Sequence, residues 1–151
     1  MPVTMEQVRA ALDPEEPDYE QAAKLGAEAL PHLEKLIGRK DPHLASKAAS
    51  LAGLIQDERA GRVVEQAARH EDVRVRVAAA HSARYLPAED ASRILTAVLS
   101  DKDVGLQKVA LKSVPRKLTP ELRATIEALA KRKRTNPAIQ NLSKEVLARR
   151  R

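Results

Sequence analysis

The sequence predicts an all-α protein, a solenoid of antiparallel helical hairpins in which about four repeats of 31 residues follow an N-terminal helical cap. Three observations carry that expectation. The first is the recurrence of Asp72-Val73-Arg74-Val75 as Asp41-Pro42-His43-Leu44 and as Asp103-Val104-Gly105-Leu106, 31 residues before and after it. A fixed period of this kind marks stacked units, none of which buries its apolar face without a neighbour. The second is a set of columns: positions 29/60/91/122, 33/64/95/126, 36/67/98/129 and 37/68/99/130 are apolar in every repeat, at the i, i+4, i+7, i+8 spacing of one helix face. The third is composition. Phe and Trp are absent and the only aromatics are Tyr19 and Tyr85, so burial falls to Leu, Val, Ile and Ala, which favour helices and let their axes approach closely.

Taken in order, Thr4 and Gln7 have capping-box spacing for a first helix to about Leu12, ended by Asp13-Pro14-Glu15-Glu16-Pro17. Asp18 can cap a second helix to about Leu25-Gly26. Residues 1–27 fall outside the register and read as the cap that the end of a solenoid requires. Repeats at 28–56, 57–88, 89–118 and 119–151 continue from it as one domain. Their second helices give columns 44/75/106 (Leu, Val, Leu), 48/79/110 (Ala throughout), 49/80/111 (Ala, Ala, Leu) and 52/83/114 (Ala, Ala, Val), behind N-cap aspartates Asp41, Asp72 and Asp103. Pro115 should end or kink the third of these helices. Asn136-Pro137 opens the fourth, with its register slipped by about two residues and Asn141 and Ser143 in place of apolar residues, as suits a C-terminal cap.

This pattern resembles HEAT repeats, in particular the short HEAT-like units of phycobilisome lyase-type proteins. The resemblance rests on Ala29-Leu30-Pro31-His32-Leu33-Glu34-Lys35-Leu36-Ile37 as a proline-containing first helix and on Val75-Arg76 followed by Ala79-Ala80 in a second helix, and it covers roughly residues 28–150. It implies a right-handed superhelix with the second helices lining the concave side. The family's Asp and Arg ladder is mostly missing: the Arg position reads Ala45, Arg76, Gln107 and the Asp position Arg39, His70, Asp101, leaving at most one Asp101 to Arg76 pair.

Charge is distributed unevenly. Residues 1–38 carry three Lys/Arg against eight Asp/Glu, net −5; residues 39–100 carry ten against eight, net +2; residues 101–151 carry fourteen against five, net +9. The second-helix segments hold twelve Lys/Arg and one acid, Glu145. Their face away from the core columns reads His43/Arg74/Gly105, Ser46/Val77/Lys108, Lys47/Ala78/Val109, Ser50/His81/Lys112, Gly53/Arg84/Pro115 and Leu54/Tyr85/Arg116. With the resemblance, this implies a basic concave surface that attracts an acidic partner or a phosphate backbone. Arg84, Arg116 and Lys117 also have a plainer role, complementing helix dipoles at C-termini. The run Lys131-Arg132-Lys133-Arg134 and the terminal Arg149-Arg150-Arg151 read as solvated helix ends rather than targeting signals.

Several chemistries have no residues to carry them. Without cysteine there is neither a disulfide nor a thiolate site. His32, His43, His70 and His81 lack the i, i+4 or His-Glu-x-x-His spacing of helical metal sites, and no acid pair, nucleophile or glycine-rich phosphate loop stands out. No cofactor or metal is expected. The first six residues lack a basic segment followed by an apolar core, and no apolar run approaches the ~20 residues of a membrane helix, so a cytoplasmic location away from membranes is expected. The expected function is non-enzymatic: a protein-interaction scaffold that binds an acidic or amphipathic segment through Arg74, His81, Arg84, Tyr85, Lys108, Lys112 and Arg116. Sequence-independent nucleic-acid binding on the same face is the alternative, weakened by the scarcity of aromatics for base stacking. Head-to-tail self-association, acidic cap to basic last repeat, is a third expectation.

Overall fold

A computed structural model describes residues 2–150, and among them every regular element is helical. The helices are α1 (Met5–Leu12), α2 (Tyr19–Ala22), α3 (Leu30–Ile37), α4 (Pro42–Ala52), α5 (Ala60–Ala68), α6 (Val73–Ser82), α7 (Ala88–Val98), α8 (Val104–Lys112), α9 (Pro120–Lys131) and α10 (Pro137–Ala148). Short 3-10 turns occupy Ala23–Leu25, Ala27–Ala29 and Ala83–Tyr85. No described helix is long and apolar enough to cross a membrane.

Side chains just outside the helices set their starts. Thr4 Oγ1 accepts from the Gln7 amide at 3.2 Å while Gln7 Oε1 accepts from the Thr4 amide at 2.8 Å, a reciprocal cap on α1. Asp41, Asp72 and Asp103 accept from the amides of Leu44, Arg74 and Leu106, and Asn136 from that of Ala138. The helix expected from Asp18 to Leu25 is α-helical only to Ala22. Beyond that it tightens into a 3-10 turn and stops at Gly26, whose φ of 76° lies in the left-handed region that favours glycine. α8 ends at Lys112, ahead of Pro115.

Turns of four or five residues join α3 to α4, α5 to α6, α7 to α8 and α9 to α10, and the two helices of each pair pack together. Across pairs, α3, α5, α7 and α9 contact one another in succession, and so do α4, α6, α8 and α10. α1 lies against α3 and α4, and α2 lies against α4. The core runs between the two rows. Every predicted column residue is buried except Leu44 and Ala68, which are half-buried. In α10 Ile139, Ser143 and Val146 are buried; the first two stand two residues beyond the 31-residue equivalents of Leu106 and Ala110, as the expected slip requires, whereas Lys144, at the slipped place of Leu111, is exposed.

The helices approach most closely at α4 and α6. Ala48, Ala49 and Ala52 meet a helix carrying Ala79, Ala80 and Ser82, all buried, and Ser82 Oγ donates to the Ala49 carbonyl at 3.0 Å. A Cβ on Gly53 would stand 2.7 Å from Ser82 Cβ and 2.8 Å from Ser82 O. Gly53 therefore belongs to the packed crossing and not to the open face expected from the sequence.

Long polar side chains of the second row tie it to neighbouring turns and to the N-terminal segment. Arg76 donates to the carbonyls of His70 and Glu71 and pairs with Asp101, Nε to Oδ2 at 3.0 Å. At the equivalent position Gln107 donates to the carbonyls of Leu99 and Asp101. Lys47, only 8% exposed, donates to the carbonyls of Leu12 and Pro14 at 3.0 and 2.7 Å. It is a buried tie to the cap, which corrects its expected place on the open face. Arg150 likewise is not a free solubilising residue: its guanidinium donates to the carbonyls of Pro115 and Val114, and its own carbonyl accepts from Arg123. Arg149 is exposed, and Arg151 lies outside the described residues.

Two stability predictions follow from these contacts. Gly53→Ala should cost about 1–3 kcal/mol, because the added methyl overlaps Ser82 in a packed crossing; urea denaturation should show a lower midpoint at an unchanged slope, and a gain in stability would mean that α4 and α6 separate without strain. Lys47→Met keeps the stem but strands two carbonyls, at about 1–3 kcal/mol for each buried acceptor left unmade. Amide hydrogen exchange should then quicken in α1 and leave α8 to α10 unchanged.

Candidate interaction face

The side of the second row is only partly open at α4 and is open from α6 onward. On α4 the expected positions are taken up from within: Ser46 and Ser50 donate to the carbonyls of Pro42 and Ser46, Lys47 is buried, and α1 and α2 pack against this helix. The N-terminal segment thus covers part of the first repeat's share of the face, while His43 stays exposed beside the groove between α1 and α4.

All seven residues expected to bind a partner are exposed: Arg74, His81, Arg84 and Tyr85 on α6 and the 3-10 turn after it, Lys108 and Lys112 on α8, and Arg116 beyond it. They do not form one uniform patch. Arg74 is held by its own cap, with Nε and Nη2 donating to Asp72 Oδ1 and Oδ2 at 3.0 and 2.8 Å. That pair draws the Asp72 carboxyl down from 3.8 to about 2, first through the Arg74 side chain and then through the Arg74 amide. Arg84 donates to Ser113 Oγ at 3.3 Å, bridging α6 to the end of α8. His81 is held below its ordinary value by burial and then by the nearby Arg84 charge, so it adds no charge near neutral pH.

Tyr85 borders a separate hollow. Its ring stands edge-on to His81, with centroids 6.2 Å apart, and it lines a notch with Ile55, Gln56, Glu58, Leu86 and Pro87 at the junctions between successive repeats. It is the one large hydrophobic side chain that is exposed among the described residues, at 54%. The free cations therefore centre on α8: Lys108, Lys112 and Arg116 make no ion pair among the described residues. Half-buried Val77 and Val109 lie beside them on α6 and α8.

Sequence columns missed the contribution of α10. Lys112 shares a cleft with Leu142, Glu145 and Arg149. The slip of two residues conceals the correspondence: applied to α10, it places Leu142 with Val109, Glu145 with Lys112 and Arg149 with Arg116. Glu145 thus interrupts an otherwise basic strip. No group of three or more His, Asp or Glu residues among those described is placed to hold a metal ion. Compared with known proteins, the chain matches no family model and no curated protein.

The Asp72–Arg74 pair has a measurable consequence. Because the folded-state value is depressed, the pair's stabilisation is complete above the ordinary carboxylate value and is lost as pH falls from 3.8 through about 2. A carboxyl-carbon NMR titration should place the Asp72 midpoint near 2, and Arg74→Ala should return it toward 3.8. An unchanged midpoint in the variant would mean that backbone capping alone depresses it.

Proposed function

We propose that the chain is a non-enzymatic, HEAT-like α-solenoid that acts as a cytoplasmic interaction scaffold and binds an acidic or amphipathic protein segment across α6, α8 and α10. The two rows of helices in contact, the Asp caps at a 31-residue period and the Ala columns support the solenoid reading, with repeats at 28–56, 57–88, 89–118 and 119–151 behind a cap at 1–27. In such an array the second row lines the concave side and the superhelix is right-handed, as the HEAT resemblance implies.

One observation carries the functional reading. Among the described residues Lys108, Lys112 and Arg116 make no ion pair, and half-buried Val77, Val109 and Leu142 lie on α6, α8 and α10, a mixture of charge and apolar surface suited to an amphipathic helix laid in a groove. Tyr85 is the one large hydrophobic side chain exposed among the described residues, too little aromatic surface for stacking successive bases, which favours a protein segment over a single-stranded nucleic acid.

Fluorescence anisotropy with an acidic amphipathic helical peptide tests the reading. Joint reversal of Lys108, Lys112 and Arg116 to Glu removes three attractions of about 0.5–1 kcal/mol each at an exposed surface, so affinity should fall about tenfold or more. Arg74→Glu should matter much less, since Arg74 is engaged by Asp72. Undiminished peptide binding by the triple variant would refute the face. Tighter binding of duplex DNA than of the peptide, with a steep salt slope, would replace the protein partner by a phosphate backbone.

A further inference from the structure

The fold leaves its charges unpaired at its two ends. All six ion pairs among the described residues lie between Asp57 and Asp101. No acid of residues 1–38 and no cation of residues 102–150 belongs to one, although these segments have opposite sign.

The unpaired charges also share an edge of the molecule. Asp13, at the start of the α1–α2 loop, lines one groove with Asp41 and His43. Lys40 and Pro42 line another with His70 and Glu71. Arg76, bonded to the carbonyls of that second turn, reaches Asp101 in the third. The α9–α10 turn completes the series, since α9 packs on α7 and α10 on α8.

Read along that edge, the charges are complementary to themselves in reverse. The α1–α2 loop exposes Asp13, Glu15, Glu16 and Asp18, while the last turn exposes Lys131, Arg132, Lys133 and Arg134. The α3–α4 turn has Arg39 and Lys40 against Asp41, net +1; the α7–α8 turn has Lys102 against Asp101 and Asp103, net −1, although Asp101 is already paired with Arg76. The middle turn adds nothing to this, having Arg69 against Glu71 and Asp72, net −1, with Arg69 and Asp72 already engaged by Glu65 and Arg74, so the complementarity lies at the two ends of the edge. A two-fold interface needs this pattern, because it sets residue i against j and j against i.

We infer that two copies of the chain pair edge to edge and antiparallel, the acidic α1–α2 loop of each lying over the basic α9–α10 turn of the other. The head-to-tail contact expected from the sequence uses each patch once and leaves one of each sign open at the ends of a filament. The edge arrangement engages both patches in a closed dimer. The outward positions Ala124, Asn141 and Ala148 near the chain's C-terminal end offer no large apolar surface for end-on stacking. This inference uses none of the cations assigned to peptide binding, so either reading can fail without the other.

Sedimentation velocity on the whole chain decides it. At about 0.01 M salt, where charges act over about 30 Å, the mass should be twice the 16.6 kDa of the monomer; at about 1 M, where they act over about 3 Å, it should be the monomer's. Joint reversal of Asp13, Glu15 and Glu16 to Lys should give monomers, and so should joint reversal of Lys131, Lys133 and Arg134 to Glu. An equimolar mixture of the two variants should recover the doubled mass, because one presents only basic ends and the other only acidic ends. Monomers at low salt, growth beyond two copies, a dimer that survives high salt, or a mixture that stays monomeric would each overturn the inference.

Discussion

The close approach of α4 and α6 is the constraint on which the rest of the structure depends. Ala48, Ala49, Ala52 and Gly53 on one side and Ala79, Ala80, Ser82 and Ala83 on the other leave no room for larger side chains, as the 2.7 Å between a notional Gly53 Cβ and Ser82 Cβ shows. With the second row drawn this tight, the first row can bury its Leu, Val and Ile side chains against it without any help from aromatic rings. The burial of Leu33, Val64, Leu95 and Ile126 at 0% exposure is the result. Dispersion across many small contacts, rather than a few large side chains, holds such a core together.

That packing was legible in the sequence because it is periodic. Apolar columns and N-cap aspartates recur at fixed spacing, and both are local enough that a single helix turn determines them. The destinations of the long polar side chains were not legible. Lys47 reaches carbonyls 33 and 35 residues earlier in the chain, and Arg150 reaches carbonyls 35 and 36 residues earlier; neither follows from helix phase. A helical wheel assigns a lysine to a face but does not show whether a neighbouring segment lies over that face. Hence helix phase alone places Lys47 and His43 alike on the open side of α4, whereas the cap buries Lys47 and leaves His43 exposed.

The same limit explains the divided site. Arg74 and Tyr85 share the exposed side of α6 with His81 and Arg84 in sequence phase, yet Arg74 folds back on its capping Asp72 and Tyr85 lines the notch beside Leu86. Leu142, Glu145 and Arg149 were recoverable, since the slip at Asn136-Pro137 was already evident and only needed to be carried through α10.

Electrostatics and packing are coupled through where the pairs fall. In the central repeats Arg76 and Arg93 each reach an acid contributed by a neighbouring repeat, so charge there serves the stacking of units. At the N-terminal end the cap is fastened by a different device, a buried lysine bonded to carbonyls, and the cap's carboxylates enter no ion pair among the described residues. At the C-terminal end Arg150 does the same for α10, again using carbonyls as acceptors. Because both ends are secured by bonds to the main chain rather than by ion pairs, the terminal repeats can carry net charges of opposite sign without loss of local structure. The chain's electrical polarity is therefore compatible with its packing, and any use of that polarity must lie in what approaches from outside.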